Sequence, residues 1–162
     1  MKLQTQNERW QCVVTAVAMV LNIEVQDLIR LVGHDGSEIA FPDLPEPERR
    51  LGHNIYEMIR VAVNLGYAVT PIPLRPATYP ANNPSREIVI GSVEGNWNDF
   101  SGQLQHSRGV IECSGPYGYH VVAYDHGRIY DPRGQEFSYT RETCEQKNLY
   151  TYRLWRVDRI TP

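Results

Sequence analysis

The sequence predicts an α+β domain, because helical and strand patterns occupy different parts of the chain. Apolar residues recur at helical spacing in the N-terminal half, whereas short runs rich in Val, Ile and Tyr, separated by Gly and Pro, fill the C-terminal half. Helices first and strands later, without alternating units, are typical of this class. The 162 residues, 41% hydrophobic and 22% charged, are expected to form one domain spanning 1–162.

Three helices are predicted in order. The first begins at Cys12 and is apolar on nearly every side as far as Asn22, as expected of a buried helix. The second, Val25–Val32, is amphipathic and ends at Gly33. The third, Asn54–Leu65, carries its apolar residues on one face and ends before a glycine.

The segments between and after these helices are rich in proline. His34–Leu51 contains three prolines among acidic residues, which predicts a surface loop. Tyr67–Leu74 contains two prolines that remove ladder donors, so it is expected to be an edge or end strand. Residues 75–86 read as a connector, with a cleft wall as the alternative. A short strand at Ile88–Ile90 and a short helix at Trp97–Leu104 are predicted next.

The C-terminal half predicts an antiparallel sheet. Its strands are separated by turn signals such as His126-Gly127. The predicted strands are Gly109–Cys113, Tyr119–Tyr124, Arg128–Asp131 and Tyr150–Ile160.

Charge and composition exclude several classes of function. A formal charge of -3 and a pI near 5.9 give no basic surface for nucleic acid. The polar N-terminus lacks a secretory apolar stretch, and no window is long enough to span a membrane, so no membrane partner is expected. Three cysteines favour free thiols in a reducing compartment. We therefore expect a cytoplasmic protein, or one exported without a signal peptide.

Cys12 is the candidate nucleophile. A thiol at the first turn of a helix meets unpaired backbone N–H groups and the positive end of the helix dipole, which favour thiolate over thiol. Most free cysteines are simply small buried apolar residues, so the surroundings must decide. Gln6, six residues upstream across a polar loop, can bring its side-chain amide beside the Cys12 backbone N–H and so form an oxyanion hole.

The predicted hairpin around His126-Gly127 supplies a base and its partner. A two-residue turn there places Val122 opposite Asp131, and His120 lies two residues from Val122 on the same face. Asp125 points to the opposite face. Asp131 is therefore the expected hydrogen-bond partner of His120, in a Cys-His-Asp arrangement.

The remaining cysteines and histidines are weaker candidates. Cys113 is expected to be structural within a strand, and Cys144, in a charged stretch, to be a solvated thiol. The other histidines lack metal-ligand spacing, so no metal or cofactor is expected. Tyrosines near Tyr119 either pack at the rim of the sheet or line a cleft beside His120.

These motifs resemble those of a known family. Gln6 to Cys12 with the following Val-Val-Thr-Ala-Val-Ala-Met-Val-Leu-Asn, then His120-Val-Val-Ala-Tyr-Asp and Tyr130-Asp-Pro-Arg-Gly, are similar to the bacteriocin-processing, double-glycine peptidases of the papain-like superfamily. The resemblance implies a papain-like fold, with a central helix that bears the nucleophile and a sheet that bears His and Asp. It assigns the oxyanion role to Gln6. That family commonly has glycine where this chain has Val13, so the cleft is expected to differ in shape.

The sequence therefore favours a cysteine peptidase that hydrolyses a peptide or isopeptide bond of a polypeptide substrate through a thioester. The same residues also serve deamidases and acyltransferases, and a non-catalytic effector or binding module on this fold is a further alternative. Nothing in the sequence indicates the oligomeric state.

Overall fold

Three helices lie in the N-terminal part of the chain, and the strands follow them. The computed structural model describes residues 1–72, 77–79, 88–90, 101–115, 118–147 and 149–160. Its helices are α1 (Cys12–Leu21), α2 (Val25–Val32), α3 (Ile55–Asn64), α4 (101–106) and α5 (Arg141–Gln146). Its strands are β1 (Tyr67–Ile72), β2 (Ala77–Tyr79), β3 (Ile88–Ile90), β4 (Arg108–Gly115), β5 (Gly118–Asp125), β6 (Arg128–Asp131), β7 (Gln135–Ser138) and β8 (Tyr150–Arg159).

Six of the described strands form one antiparallel sheet in the order β1-β8-β4-β5-β6-β7. The predicted α+β class and the four predicted C-terminal strands are confirmed. The proline-containing strand β1 lies at the edge, as predicted, because Pro71 cannot donate to a second neighbour. Strands β2 and β3 pair with each other in a separate two-stranded sheet.

The first three helices also agree with the prediction. Every residue of α1 is buried, and the helix ends at Asn22 in the left-handed region (φ 57°). Helix α2 ends at Gly33 (φ 95°), a conformation that costs glycine little. No single helix among the described residues is long and apolar enough to cross a membrane. One bent pair, Arg9–Leu21 with Val25–Val32, meets the test of length and composition across a 111° bend.

Two apolar clusters cover the two faces of the central sheet. Helix α1 packs on β5 and β4, where alternate residues such as Val110, Val121 and Ala123 join the larger cluster. The intervening residues Ile111 and Val122 face the other cluster. The sheet that carries His120 and Asp131 is therefore packed against apolar residues on both faces.

The prediction of a solvated Cys144 is wrong. Its side chain is fully buried in the second cluster, beside Tyr139 and Leu149. Helix α5 places its charged residues outward and Cys144 inward, and Thr140 caps it by accepting a hydrogen bond from the Thr143 N–H. Six residues give too short a window for helical periodicity to show, so the stretch reads as uniformly polar.

Three further differences concern short elements. Strand β2 lies within the predicted connector 75–86, so a connector is wrong for residues 77–79. The predicted helix at Trp97–Leu104 agrees at 101–104, continues to 106, and otherwise lies outside the described residues. Strand β7 was not predicted, because Gln135–Ser138 is too polar to show a strand pattern and forms by pairing with β6.

The 34–53 loop, formed by residues 34–53, contains the predicted surface loop His34–Leu51 and is folded back on itself. The Leu51 N–H donates to the Glu38 carbonyl (2.8 Å) and the Gly52 N–H to the Gly36 carbonyl (3.0 Å). Both glycines have positive φ, and a Cβ on Gly36 would lie 2.7 Å from the Gly52 oxygen. The proline-rich segment is thus a defined wall that stands beside the N-terminal end of α1.

Replacement of Gly109 by Ala is expected to lower the free energy of unfolding by about 3 kcal/mol or more, because overpacking a tight site forces the backbone to move. Gly109 lies in β4 between β5 and β8, and a Cβ there would stand 1.8 Å from the Trp155 carbonyl oxygen. The matched control is Gly102→Ala in α4, where a Cβ meets nothing within 4 Å. Denaturant titration should separate the two variants, and equal midpoints would contradict this packing.

Candidate active site

Cys12 is the first residue of α1 and is 7% exposed. A single 3₁₀ turn, Arg9–Gln11, precedes the helix directly, so the backbone is already helical before Cys12. The thiol therefore stands at the first turn of the helix, as predicted. The Cys12 side chain belongs to the larger apolar cluster and also lines a surface groove.

His120 and Asp131 form the hydrogen bond that the hairpin register predicts. Strand β5 pairs with β6 so that Asp125 faces Arg128 and Ala123 faces Tyr130, the register expected for a turn at His126-Gly127. His120 Nε2 lies 2.8 Å from Asp131 Oδ1, and both side chains are buried. The pair is thus fixed by a short hairpin within the larger sheet.

The turn after Asp131 holds its carboxylate in place. In Asp131-Pro132-Arg133-Gly134 the Gly134 N–H donates to the Asp131 carbonyl (2.9 Å), and Gly134 has a φ of 84°. The Arg133 N–H donates to Asp131 Oδ1 (2.9 Å). Asp at the first position, Pro at the second and Gly at the fourth are favoured turn residues, so the local sequence itself orients the carboxylate.

The Cys12 thiol interacts with the His120 ring. Nε2 is occupied by Asp131, which leaves Nδ1 as the nitrogen available to the sulfur. Burial by itself lowers the pKa of His120, but the hydrogen bonds to Asp131 and Cys12, and the charges of both groups, raise that pKa above its ordinary value. The site therefore favours imidazolium between a carboxylate and a sulfur.

The pKa of Asp131 is shifted in the opposite direction. Burial raises it, but the hydrogen bond and charge of His120, with the N–H and charge of Arg133, hold the pKa below its ordinary value. The two shifts therefore favour the carboxylate form of Asp131 and the imidazolium form of His120. Such opposite shifts in neighbouring groups are typical of catalytic centres, although buried ion pairs also produce them.

Gln6 lies next to this pair. Its backbone N–H donates to the carbonyl of Pro132, which follows Asp131 directly (2.8 Å). The side-chain Nε2 donates to the Glu8 carbonyl (3.1 Å), which leaves one of its two hydrogens free of that bond. Gln4, by contrast, is used at the α1–α2 junction, where its side chain bonds Ile23 and Val25. The structure thus places Gln6 beside the Asp131 turn and not in the helix junction.

The other two cysteines lie in the core. Burial raises the pKa of Cys113 well above its ordinary value, and the charge of Asp131 adds to that effect. Burial likewise raises the pKa of Cys144 to about 11. Cys113 is structural, as predicted, and its thiol bonds the His120 carbonyl (3.4 Å). Of the three cysteines, Cys12 has the imidazole contact.

A groove of about 280 Å³ opens beside Cys12. One wall of the groove is the 34–53 loop. Tyr119, which is half exposed, also lines the groove. Of the two alternatives for the tyrosines near Tyr119, the structure therefore agrees with the one in which they line a cleft. Val13 also lines it, in the position where the resembling family commonly has glycine. The groove walls are residues Arg9, Trp10, Val13, Pro47, Glu48, Arg50, Leu51, Gly52, His53 and Tyr119.

A second groove of about 310 Å³ continues from the first and shares Leu51, His53 and Tyr119 with it. Its side includes Glu112, a buried carboxylate that accepts hydrogen bonds from the Trp155 indole (2.5 Å) and the Tyr119 hydroxyl (3.1 Å). The walls of the two grooves come from four separate parts of the chain, so sequence patterns do not predict their shape.

Within the described part of the chain, no group of three or more His, Cys, Asp or Glu side chains is placed to hold a metal ion. His34 and His53 do approach each other, with ring centroids 4.9 Å apart and planes 13° from parallel. The stacked rings close the base of the 34–53 loop.

Comparison with known proteins identifies the fold. No family model matches the sequence, and no curated protein matches it. A double-glycine motif protease from an AMS/PCAT transporter, crystallised in complex with the leader peptide, has a TM-score of 0.56 at 14% identity, over 98% of this chain and 91% of that one. The peptidase domain of Streptococcus ComA, a bi-functional ABC transporter involved in a quorum-sensing pathway, gives 0.57 at 13% identity over 98% of each chain.

The chain therefore has the α+β fold of the double-glycine peptidase domains, and the resemblance read from its motifs is confirmed at the level of the fold. Identities of 13–14% carry the fold alone.

Proposed function

We propose that this protein is a papain-like cysteine peptidase in which Cys12 is the nucleophile, His120 the acid–base, Asp131 the group that orients His120, and Gln6 a donor of the oxyanion hole. One observation carries the proposal: a thiol at the first residue of a buried helix acts on an imidazole, raising its pKa, and the Nε2 of that imidazole lies 2.8 Å from a buried carboxylate. The likeness to double-glycine peptidase domains supports the same reading.

The proposed reaction proceeds through a thioester. The Cys12 sulfur attacks the substrate carbonyl carbon, and the C=O electron pair moves to oxygen, where the Gln6 amide and the Cys12 backbone N–H stabilise the negative charge. As the C–N bond breaks, the His120 imidazolium gives its proton to the leaving amine. Water then attacks the thioester carbonyl carbon and its proton passes to His120. The C–S bond breaks, so the carboxylic acid is released and the thiolate–imidazolium pair is restored.

The substrate proposed is a polypeptide. The two connected grooves provide an extended surface on one side of Cys12, which suits a chain better than a compact small molecule. The double-glycine protease was crystallised with a leader peptide, which supports the same class of substrate for this fold. Val13 in the groove wall favours a selectivity different from that of relatives with glycine there.

The test is a search for new amino termini. A peptide library prepared from a whole proteome, with its amines blocked, is incubated with the wild-type protein and with Cys12→Ala. We expect a subset of peptides to gain free amino termini with the wild type and none with the variant, because removal of the nucleophile leaves only weak residual catalysis.

The same experiment separates the alternatives. Cys12-dependent conversion of glutamine to glutamate, without new termini, would indicate a deamidase. Cys12-dependent joining of peptides to an added amine would indicate an acyltransferase. If no peptide changes in a Cys12-dependent way, the peptidase proposal fails.

A further inference from the structure

An arginine of β8, Arg153, lines the second groove, and 43% of its side chain is exposed. Its Nη1 donates to Glu112 Oε1 (3.4 Å) and to the Tyr56 hydroxyl (3.5 Å). Both acceptors belong to side chains that line the same groove. The guanidinium therefore lies between two groove-lining side chains, at the surface of the protein.

One edge of this guanidinium is not used inside the protein. Within the described part of the chain, the hydrogen bonds of Arg153 are made by Nη1, and Nε and Nη2 have no acceptor there. These two nitrogens form the edge of a guanidinium that can hold a carboxylate through two parallel hydrogen bonds. The arginine is thus anchored through one nitrogen and presents a two-nitrogen donor edge for a ligand.

Glu112 holds the arginine from beneath. It is 4% exposed, and besides Arg153 it accepts from the Trp155 indole (2.5 Å) and the Tyr119 hydroxyl (3.1 Å), so three donors inside the wall share its charge. The guanidinium carbon also lies 5.7 Å from the centroid of the Trp155 ring. A guanidinium that its neighbours already hold loses little conformational freedom when a ligand binds.

The rest of this groove offers accessible apolar surface. Leu51 is 46% exposed, Tyr119 52% and Tyr56 59%, and all three line the groove with Arg153. Such surfaces suit the carbon stem of a side chain whose charged end reaches the guanidinium. Leu51 and Tyr119 also line the Cys12 groove, so a chain bound beside the nucleophile can continue to Arg153.

We propose that the second groove is a subsite for a carboxylate of the polypeptide substrate, with Arg153 as the residue that determines this specificity. Nε and Nη2 of Arg153 donate to the two carboxylate oxygens, and the exposed apolar side chains contact the carbon stem. The carboxylate belongs to an acidic side chain of the substrate or to its carboxyl terminus, which share this chemistry. The inference rests on the proposed peptidase function and adds a preference for negative charge at one fixed distance from the cleaved bond.

The test begins with the amine-blocked proteome library and the wild-type protein. The cleaved sequences show the position at which Asp or Glu is enriched, and synthetic peptide pairs that carry Glu or Gln at that position are then compared by kcat/KM. The variant Arg153→Gln removes the charge, and Arg153→Lys keeps the charge without the two-nitrogen edge. The matched control, Arg159→Gln, changes an exposed arginine of the same strand that is outside the described walls of both grooves.

We expect the wild type to show a kcat/KM about fivefold higher for the Glu peptide than for the Gln peptide, the order of a well-placed exposed ion pair. Arg153→Gln should cleave both peptides at the wild-type rate for the Gln peptide. Arg153→Lys should keep a preference of about twofold, because a lysine offers the charge without the paired donors. Arg159→Gln should match the wild type with both peptides.

A second library with amidated carboxyl termini distinguishes the two sources of the carboxylate. If the occupant is an acidic side chain, the same internal sites are cleaved in both libraries. If the occupant is the terminal carboxylate, cleavage falls at a fixed distance from the carboxyl terminus and is lost on amidation. In that case the compared pair is the free acid and the amide of one peptide, and the same ratios are expected.

Other results overturn the inference. Cleavage by the wild type with neither enriched acidic residues nor dependence on a free carboxyl terminus would contradict the subsite and leave the peptidase proposal intact. If Arg153→Gln lowers kcat/KM by the same factor for both members of a pair, Arg153 supports the fold and binds no carboxylate. If the wild type produces no new amino termini at all, the proposed function itself fails, and the subsite fails with it.

Discussion

Replacement of His120 by Ala is expected to slow alkylation of Cys12 by iodoacetamide about 100-fold at pH 6. An isolated cysteine thiol is ionised to only about 0.3% at that pH, whereas a thiol paired with an imidazolium is largely thiolate. The pKa of His120 is raised in this site, so the imidazolium persists at pH 6. The rate is measured by mass spectrometry of the Cys12 peptide over time.

The other two cysteines provide the internal control. Cys113 and Cys144 are fully buried and should remain unlabelled in the folded protein, then react once the chain is denatured. A matched control, His106→Ala, alters an exposed histidine and should leave the rate unchanged. Equal rates for the wild type and His120→Ala would show that Cys12 and His120 form no ion pair, and would contradict the proposed mechanism.

The parts of the site that the sequence predicts are those fixed by local geometry. The pairing of His120 with Asp131 follows from the period of a strand and the position of one Gly-containing turn. The place of Cys12 at the start of a helix follows from the apolar run behind it. Neither deduction depends on contacts between distant parts of the chain, which explains why both agree with the structure.

The groove could not be predicted, because it depends on such contacts. The 34–53 loop contains no periodic pattern, and its shape comes from backbone hydrogen bonds and from two glycines that approach each other closely. His53 therefore appeared only as a histidine without a metal partner. Trp10 is in a similar position, because nothing in the sequence relates it to Arg50, forty residues away, although the two side chains meet beside Cys12.

Cys144 and Gln6 show how far residue type alone can be interpreted. Cys144 was placed in solvent because of its polar neighbours, yet α5 is long enough to turn one side chain into the core. Gln6 was placed near Cys12 by spacing. Its backbone bond to Pro132 ties it instead to the turn that carries Asp131, so one short segment links two of the proposed functional groups. Spacing did not predict this connection.

Asp131→Asn is expected to lower the pKa of His120 and to reduce Cys12 alkylation at pH 7 about tenfold, the effect of one charge-assisted hydrogen bond. Asparagine retains an oxygen that can accept from His120 Nε2 and the Arg133 N–H, but it has no charge. Burial lowers the pKa of His120, and the charge of Asp131 is one of the effects that raise it. In the variant that charge is gone, so the effect of burial is less fully offset. The imidazolium should therefore lose its proton at lower pH than in the wild type.

The direction of this change can be tested on both sides of neutrality. NMR titration of His120 should show its midpoint moved to lower pH in Asp131→Asn, and the alkaline limb of turnover should move the same way, because the imidazolium needed to protonate the leaving amine disappears earlier. Asp125→Asn is the control, since that carboxylate bonds His126 and not His120. If Asp131→Asn moves neither the titration nor the limb, His120 draws no support from Asp131, and a Cys-His pair alone would have to account for any activity.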